Sequence, residues 1–404
     1  MATDLKLSQN RPYQRLLVAK VSNELSSAIS VVALPLAIVA VTQDVILAGA
    51  VVAITSGALV ISQALTGAAV DRWGASFSLR ISSALQALGW LLVLVGIFQT
   101  SVFLMFFGAL IAGAASGIDG PAEQRLMKLV VAPAQMGRAS AVGQGREAAA
   151  ELLGGPSAGW LFAIQTHIPF LAQIVLNTLA AFATPKVREK VATQGGRYWV
   201  ELAEGFKHVF ADGALRGIAL ISGIANLAMA LTPLTLIFEY QRSGIPAPLI
   251  GTLSTFFGAG VILGAFLAGW MVERFSLGVL GIVALSGFAL AQAAIAFGYQ
   301  NFWFTCAIFT LSAVLLPPFN ASVVTYMNVT SDEQILGRVT SATGVPGMIL
   351  MPIGSLLAGL LFEWSGAAPA LYVSAIAAMI AAIYMGAEPQ LRRMPKLSEL
   401  CPDQ

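Results

Sequence analysis

Long apolar runs separated by short polar bridges recur along the whole chain. A helix that crosses the hydrocarbon core of a bilayer needs roughly 20 mostly apolar residues. That window predicts twelve helices, over Tyr13–Ala40, Leu47–Val70, Phe77–Phe98, Val102–Arg125, Arg138–Ile164, Ile168–Thr184, Arg216–Tyr240, Pro248–Val272, Leu277–Phe297, Phe302–Tyr326, Arg338–Phe362 and Ala368–Met385. The runs are rich in Ala, Leu and Gly and show no alternation of period two, so a strand architecture is not expected. The longest polar stretch, Pro185–Leu215, follows the sixth run. The expected fold is all-α and integral to the membrane. Its plan is a six-helix bundle over 1–184, a linker over 185–215, a second bundle over 216–386 and a polar tail over 387–404. Within the linker, Arg197–Ala211 places Trp199, Val200, Ala203, Phe206, Val209 and Phe210 among charges, the pattern of a helix lying at the membrane interface.

Composition agrees with lipid as the solvent. Hydrophobic residues make up 57% of the 404 residues and charged ones 10%, against about 25% in a soluble domain. The placement of the charges says more than their sum of +2. With the N-terminus inside, 21 of the 22 Lys and Arg residues fall on the inner side and only Arg242 falls outside. Both termini are therefore expected in the cytoplasm, with an even number of crossings. The polar start, Met1–Arg11, and the long first run give no cleavable signal, and the loops are compact. A bacterial inner (plasma) membrane is the expected location. Two cysteines and two histidines are too few for a disulfide framework or a metal cluster. No phosphate-binding GxxxxGK[ST] loop and no nucleophile or metal constellation is present, so neither an enzyme, a cofactor nor a nucleic-acid partner is expected.

The halves repeat at an offset of about 200 residues. Gly67-Ala-Ala-Val-Asp71-Arg72-Trp-Gly74 follows the second run, and Gly269-Trp-Met-Val-Glu273-Arg274-Phe-Ser276 follows the eighth. Gly137-Arg138-Ala-Ser140 precedes the fifth, and Gly337-Arg338-Val-Thr340 the eleventh. Gly154 and Gly159 align with Gly354 and Gly359. Matches in one order argue for duplication of a six-helix unit, with the halves related by an axis along the membrane normal.

These segments carry a resemblance. Gly67 to Gly74 is similar to the loop signature of the major facilitator superfamily. Gly154-Gly155-Pro156-x-x-Gly159 resembles the glycine-proline motif of its antiporters. Glu201-Leu-Ala-Glu204-Gly205-Phe-Lys-His-Val-Phe210 is similar to the central loop of the third drug:proton antiporter family, which holds macrolide and enterobactin-type siderophore exporters. The first loop departs from the signature in having Ala75-Ser76 in place of a basic pair, and the second copy has Ser276 where the first has Gly74. The resemblance implies a twelve-helix transporter that exports by antiport. In it, Gly67, Asp71, Arg72 and Gly74, with Glu273 and Arg274, form gating loops. Gly155, Pro156 and Gly159, with Pro352 and Gly354, help to seal the outer side.

Ionisable groups inside a span are costly, so they are expected to face a cavity and act there. Glu24 lies in the first run, Asp119 and Glu123 in the fourth, and Glu147 and Glu151 in the fifth. Glu147 and Glu151 stand four apart, on one helix face. Burial and a close like charge both favour the neutral form of a carboxyl, so such a pair can share a proton. The five acids are the candidates for proton coupling, with Lys20, Arg125 and Arg146 as charge partners. Glu123 or Glu147 is a candidate to neutralise Arg125 or Arg146, and Lys20 to pair with Glu24 four residues on. The second half is almost without buried charge. Its candidate substrate contacts are Asn226, Phe256, Phe257, Phe319 and Asn320, for each of which plain packing is the simpler alternative.

The expected activity is proton-coupled export of a small amphipathic or cationic organic compound, by alternating access about a site between the bundles near the bilayer midplane. A single chain supplies both halves, so a functional monomer is expected. One alternative is a dedicated exporter of an endogenous metabolite such as an anionic siderophore, which calls for inward-facing arginines. The other is a sensor or scaffold that does not transport.

Overall fold

The computed structural model describes residues 7–187, 189, 207, 209–330 and 347–396, the side chains of 67–69, 71, 325 and 328–330 excepted. Among these residues the regular structure is entirely helical. The first half holds α1 (Arg11–Thr42), α2 (Val45–Trp73), α3 (Ala75–Gln99), α4 (Val102–Ser116), α5 (Asp119–Val130), α6 (Met136–Ile164) and α7 (Ile168–Ala183). The second holds α8 (Gly213–Arg242), α9 (Ala247–Arg274), α10 (Leu277–Gly298), α11 (Phe302–Val314), α12 (Leu316–Thr330), α13 (Met351–Ser365) and α14 (Ala367–Ala387), then the short α15 (Pro389–Arg392). The segments Gly337–Thr340 and Arg197–Phe206 lie outside the described residues.

Local chemistry sets the boundaries. Asn10, Asp44, Ser276 and Asn301 begin helices by accepting hydrogen bonds from the backbone N–H of Tyr13, Leu47, Val279 and Phe304. Gly74, at φ +84°, turns the chain between α2 and α3, where a side chain would also collide with Glu189. Nine helical segments among the described residues are long and apolar enough to span a bilayer, with α4 and α5 counted together and α11 counted with the first part of α12, and α7 is a shorter apolar helix. The 29-residue α6 is not among the nine. Its N-terminal half is polar, with Arg138, Arg146, Glu147 and Glu151.

Two spans that read as continuous are broken. The fourth interrupts at Gly117–Ile118, between α4 and α5, and the tenth at Leu315, between α11 and α12. The breaks fall at matching places in the repeat. The first lies where Gly117 is pressed against the Leu59 carbonyl and Ser62 of α2. The second precedes Pro317-Pro318, which cannot donate backbone hydrogen bonds.

The chain divides into two compact units, Met1–Gly195 with Tyr240–Thr255, and Gly196–Glu239 with Phe256–Gln404. In the first, small residues bring backbones close. Gly89 of α3 meets Gly108 of α4, Gly113 of α4 meets Thr55 of α2, and Gly154 of α6 meets Ala28 of α1. In the second, Gly260 of α9 meets Thr310 of α11, and Gly354 of α13 meets Leu227 and Ala230 of α8. An apolar core of Ile218, Ile221, Leu280, Phe288, Ala381 and Met385 joins α8, α10 and α14.

Candidate functional site

The charges inside the first unit form a connected chain across three helices. Arg146 of α6 donates from Nε to Glu24 Oε2 at 2.6 Å and from Nη2 to Glu24 Oε1 at 2.7 Å. Nη2 also reaches Glu123 Oε1 of α5 at 2.8 Å. The other Glu123 oxygen meets Lys20 Nζ of α1 at 3.0 Å. The order is Lys20, Glu123, Arg146, Glu24, two cations alternating with two anions. Lys20 is 5% exposed. A matched chain of this kind limits the penalty of placing charge in a low-dielectric interior, and removing one member leaves its partners exposed to that penalty. The i,i+4 pair expected between Lys20 and Glu24 is not formed. Each turns instead to another helix, because the Arg146 fork offers Glu24 two parallel bonds.

Asp119 stands beside this chain without a salt bridge among the described residues. Its Oδ1 lies 2.5 Å from the Ser82 hydroxyl, and its Oδ2 accepts from Asn23 Nδ2 at 3.2 Å and Gln86 Nε2 at 3.1 Å. Asn23, Ser82 and Gln86 carry no signal that single-sequence reading could isolate from ordinary helix polarity.

Glu147 and Glu151 differ from the expected buried pair in being exposed, and neither has a salt bridge or hydrogen bond among the described residues. The reason is the face they occupy. Glu147, Glu151, Gly155 and Gly159 recur every four residues and form one stripe on α6. Gly155 and Gly159 are covered by Gly251, Ser254 and Ala247 of α9. The half that carries the two acids is left open within this unit. At 3.6 residues per turn it lies roughly opposite Leu153, Pro156 and Trp160. Those three line an apolar groove of about 750 Å³ with Leu25, Ile168 and Leu171. The acids thus point away from the apolar side of α6. The charges that act on Glu151 are themselves carboxylates, Glu147 and Glu24.

The loop after α2 is joined by a residue that motif reading passed over. Glu189 pairs through Oε2 with Arg125 Nε at 2.7 Å, and through Oε1 accepts from the Ala75 backbone N–H at the start of α3. Neighbouring bonds strap the same segment: Val187 N donates to Ser76 Oγ at 3.1 Å, and Arg80 Nη2 donates to the Thr184 carbonyl at 3.0 Å. Arg72, Glu273 and Arg274 are exposed, and the side chains of Gly67 and Asp71 lie outside the described residues. Pro156 lies inside α6, and Pro352 in the first turn of α13.

Candidates in the second half are mostly engaged in packing. Asn226 Nδ2 donates to the Gly347 carbonyl at 2.8 Å. Phe256 and Phe257 make edge contacts with Trp303 and Phe309 of α11. Phe319 packs against the apolar core of its unit, and Asn320 is exposed. No group of three or more His, Cys, Asp or Glu among the described residues is placed to hold a metal ion.

A family model described as Major Facilitator Superfamily matches residues 16–244 and again 223–399. No curated protein sequence matches. Among solved structures, a bacterial homologue of the iron transporter ferroportin in an inward-facing state is 15% identical, with a TM-score of 0.75, covering 94% of this chain and 98% of that one. A D-xylose-proton symporter is 13% identical, with a TM-score of 0.73, covering 95% and 98%. A point mutant of the nucleoside transporter NupG is 15% identical, with a TM-score of 0.72, covering 94% and 99%. At such identities the likeness establishes the fold alone.

Proposed function

The chain belongs to the major facilitator superfamily and is a multi-pass secondary transporter rather than an enzyme, and we propose that it exports small amphipathic or cationic organic compounds in exchange for protons. The observation that carries this reading is the contrast on α6. Arg146 is held by Glu24 and Glu123, while Glu147 and Glu151, on an open stripe of the same helix, have no cationic partner among the described residues. Carboxylates in that position can take either a proton or a cationic substrate, which is the exclusive choice an antiporter needs. Protonation of Glu151 then biases the equilibrium between inward- and outward-open forms. The glycine-proline segment Gly154–Gly159 supports export, through its resemblance to the antiporter motif. The charge count supports cytoplasmic termini, and the compact loops support a bacterial inner membrane.

An anionic substrate such as a catecholate siderophore fits less well. It calls for available positive charge, whereas Arg146 is bound to two carboxylates and Arg125 to Glu189. A scaffold with a transporter fold has no need of unpaired acids on an open helix face. The test uses cells preloaded with a fluorescent cationic dye. Efflux that depends on this protein and stops when an uncoupler collapses the proton gradient is the expected result. Efflux that continues under the uncoupler would overturn proton coupling.

A further inference from the structure

Behind the charged chain, the core of the first unit holds a seam of neutral polar side chains. On α3, Ser78, Ser82 and Gln86 recur every four residues and are followed on the same stripe by Trp90. Ser22, Asn23 and Ser26 face inward from α1, and Gln173 and Asn177 from α7. Asn23 joins the parts, donating through Nδ2 to both Asp119 Oδ2 and Ser83 Oγ. Asn177 Nδ2 donates to Ser26 Oγ at 2.9 Å.

The seam is not closed by these bonds. Asn23 Oδ1, Ser78 Oγ, Asn177 Oδ1 and both Gln173 atoms, Oε1 and Nε2, are fully buried and have no protein partner among the described residues. They are five of the six such atoms found there, and the sixth, Gln241 Oε1, also belongs to the first unit. Gln173 and Asn177 are 0% exposed and Asn23 1%. Turning an amide over does not cure the deficit. A reversed Asn23 would aim its oxygen at Asp119, a reversed Asn177 would leave its nitrogen unpartnered, and Gln173 lacks partners on both atoms. Buried polar groups are almost always satisfied by protein or by ordered water. A polar site takes water when it offers each molecule two to four partners. Asn23 and Ser26 are one turn apart on α1, Gln173 and Asn177 one turn apart on α7, and the Asn177–Ser26 bond ties the two pairs together. Trp90 and Phe170, with ring centroids 6.1 Å apart, bridge α3 and α7 one turn from Gln86 and Gln173.

We propose that α1, α3 and α7 enclose an internal hydration site, in which ordered water bridges Asn23 Oδ1, Asn177 Oδ1 and both polar atoms of Gln173. The water fixes the Asn23 amide, whose other end orients Asp119 at the break in the fourth span. Asn23 is thereby a positioning residue for Asp119. The charged groups acting on Asp119 are Lys20 of α1 and Glu123 of α5, and Ser82 and Gln86 face it from α3. The site is independent of what the protein carries and in which direction.

Hydroxyl-radical footprinting by X-ray radiolysis in ¹⁸O-labelled water tests it on the full chain in nanodiscs. Radicals made from bound water oxidise the rings next to it even where bulk solvent has no access. Phe170 is 0% exposed and lies one turn from Gln173, while Phe288 of the second unit is 2% exposed and has no unpartnered buried polar atom near it in sequence among the described residues. Phe170 is expected to label several-fold faster than Phe288, and to fall to the Phe288 rate in Gln173→Leu, or in the milder Gln173→Met if the first does not fold. Equal labelling of the two rings in the wild type would overturn the proposal. So would loss of Phe170 labelling when sodium chloride replaces choline chloride, because a cation would then occupy the water's place.

Discussion

The two halves of this transporter share a backbone plan and place opposite chemistry at matching points. Ala28 packs on Gly154 in the first half and Ala230 on Gly354 in the second. One turn before each alanine stand Glu24 and Asn226. Glu24 takes two charged bonds from Arg146, and Asn226 makes one neutral bond to the Gly347 carbonyl. At an offset of 200, Asp119 matches Phe319, Glu123 matches Val323 and Glu151 matches Met351. In the second core Gln292 and Ser374 are joined through the Thr232 hydroxyl, and no fully buried side-chain N or O atom of that unit lacks a partner among the described residues. A duplicated scaffold therefore does not need its charges in order to pack. Ionised groups are costly in a membrane, and on the function proposed above their concentration in one half is where they would serve the transport cycle.

The sharpest way to break this comparison is to remove its central cation. Arg146→Ala leaves the half-buried Glu24 without its partner and Glu123 with Lys20 alone, a loss of about 3–5 kcal/mol for a broken buried pair. A large drop in thermal midpoint and loss of transport are expected. Next is Glu189→Gln, which removes a charged bond to Arg125 and weakens the cap on α3. About 1.5–3 kcal/mol is expected from hydrogen bonds to a charged group, read as a smaller shift of the same midpoint. Asn226→Ala, at the place that matches Glu24, removes one neutral bond worth about 0.5–1.5 kcal/mol. A shift as large as that of Arg146→Ala would erase the distinction between the halves. Glu151→Gln is expected to move stability by less than about 0.5 kcal/mol, as for an exposed position without partners, while abolishing proton coupling.

Much of this architecture is legible in the sequence. The apolar runs, the repeat and the glycine stripe of α6 follow from spacing alone, and the family match agrees with them. The breaks in the fourth and tenth spans are not legible as breaks in hydropathy, because Ser116-Gly117-Ile118 and Val314-Leu315-Leu316 remain apolar enough to continue a run. The first arises where Gly117 meets α2, a tertiary contact. Pairing fails for the same reason. Lys20 and Glu24 look like partners at i,i+4, yet Arg146, 122 residues away, outcompetes Lys20 for Glu24. The neutral cage of Asp119 and the Glu189 strap come from residues that look ordinary until the helices assemble.

The central claim is that the unpaired acids of α6 carry the coupled proton. The direct measurement uses proteoliposomes with an imposed pH gradient and a pH-sensitive dye inside, challenged in turn with cationic dyes, macrolides and catecholates. The account predicts substrate-dependent proton flux with a cationic or amphipathic compound, lost in Glu151→Gln and reduced in Glu147→Gln, with protein of unchanged thermal midpoint. Substrate-dependent flux that survives in the double variant Glu147→Gln/Glu151→Gln would contradict it.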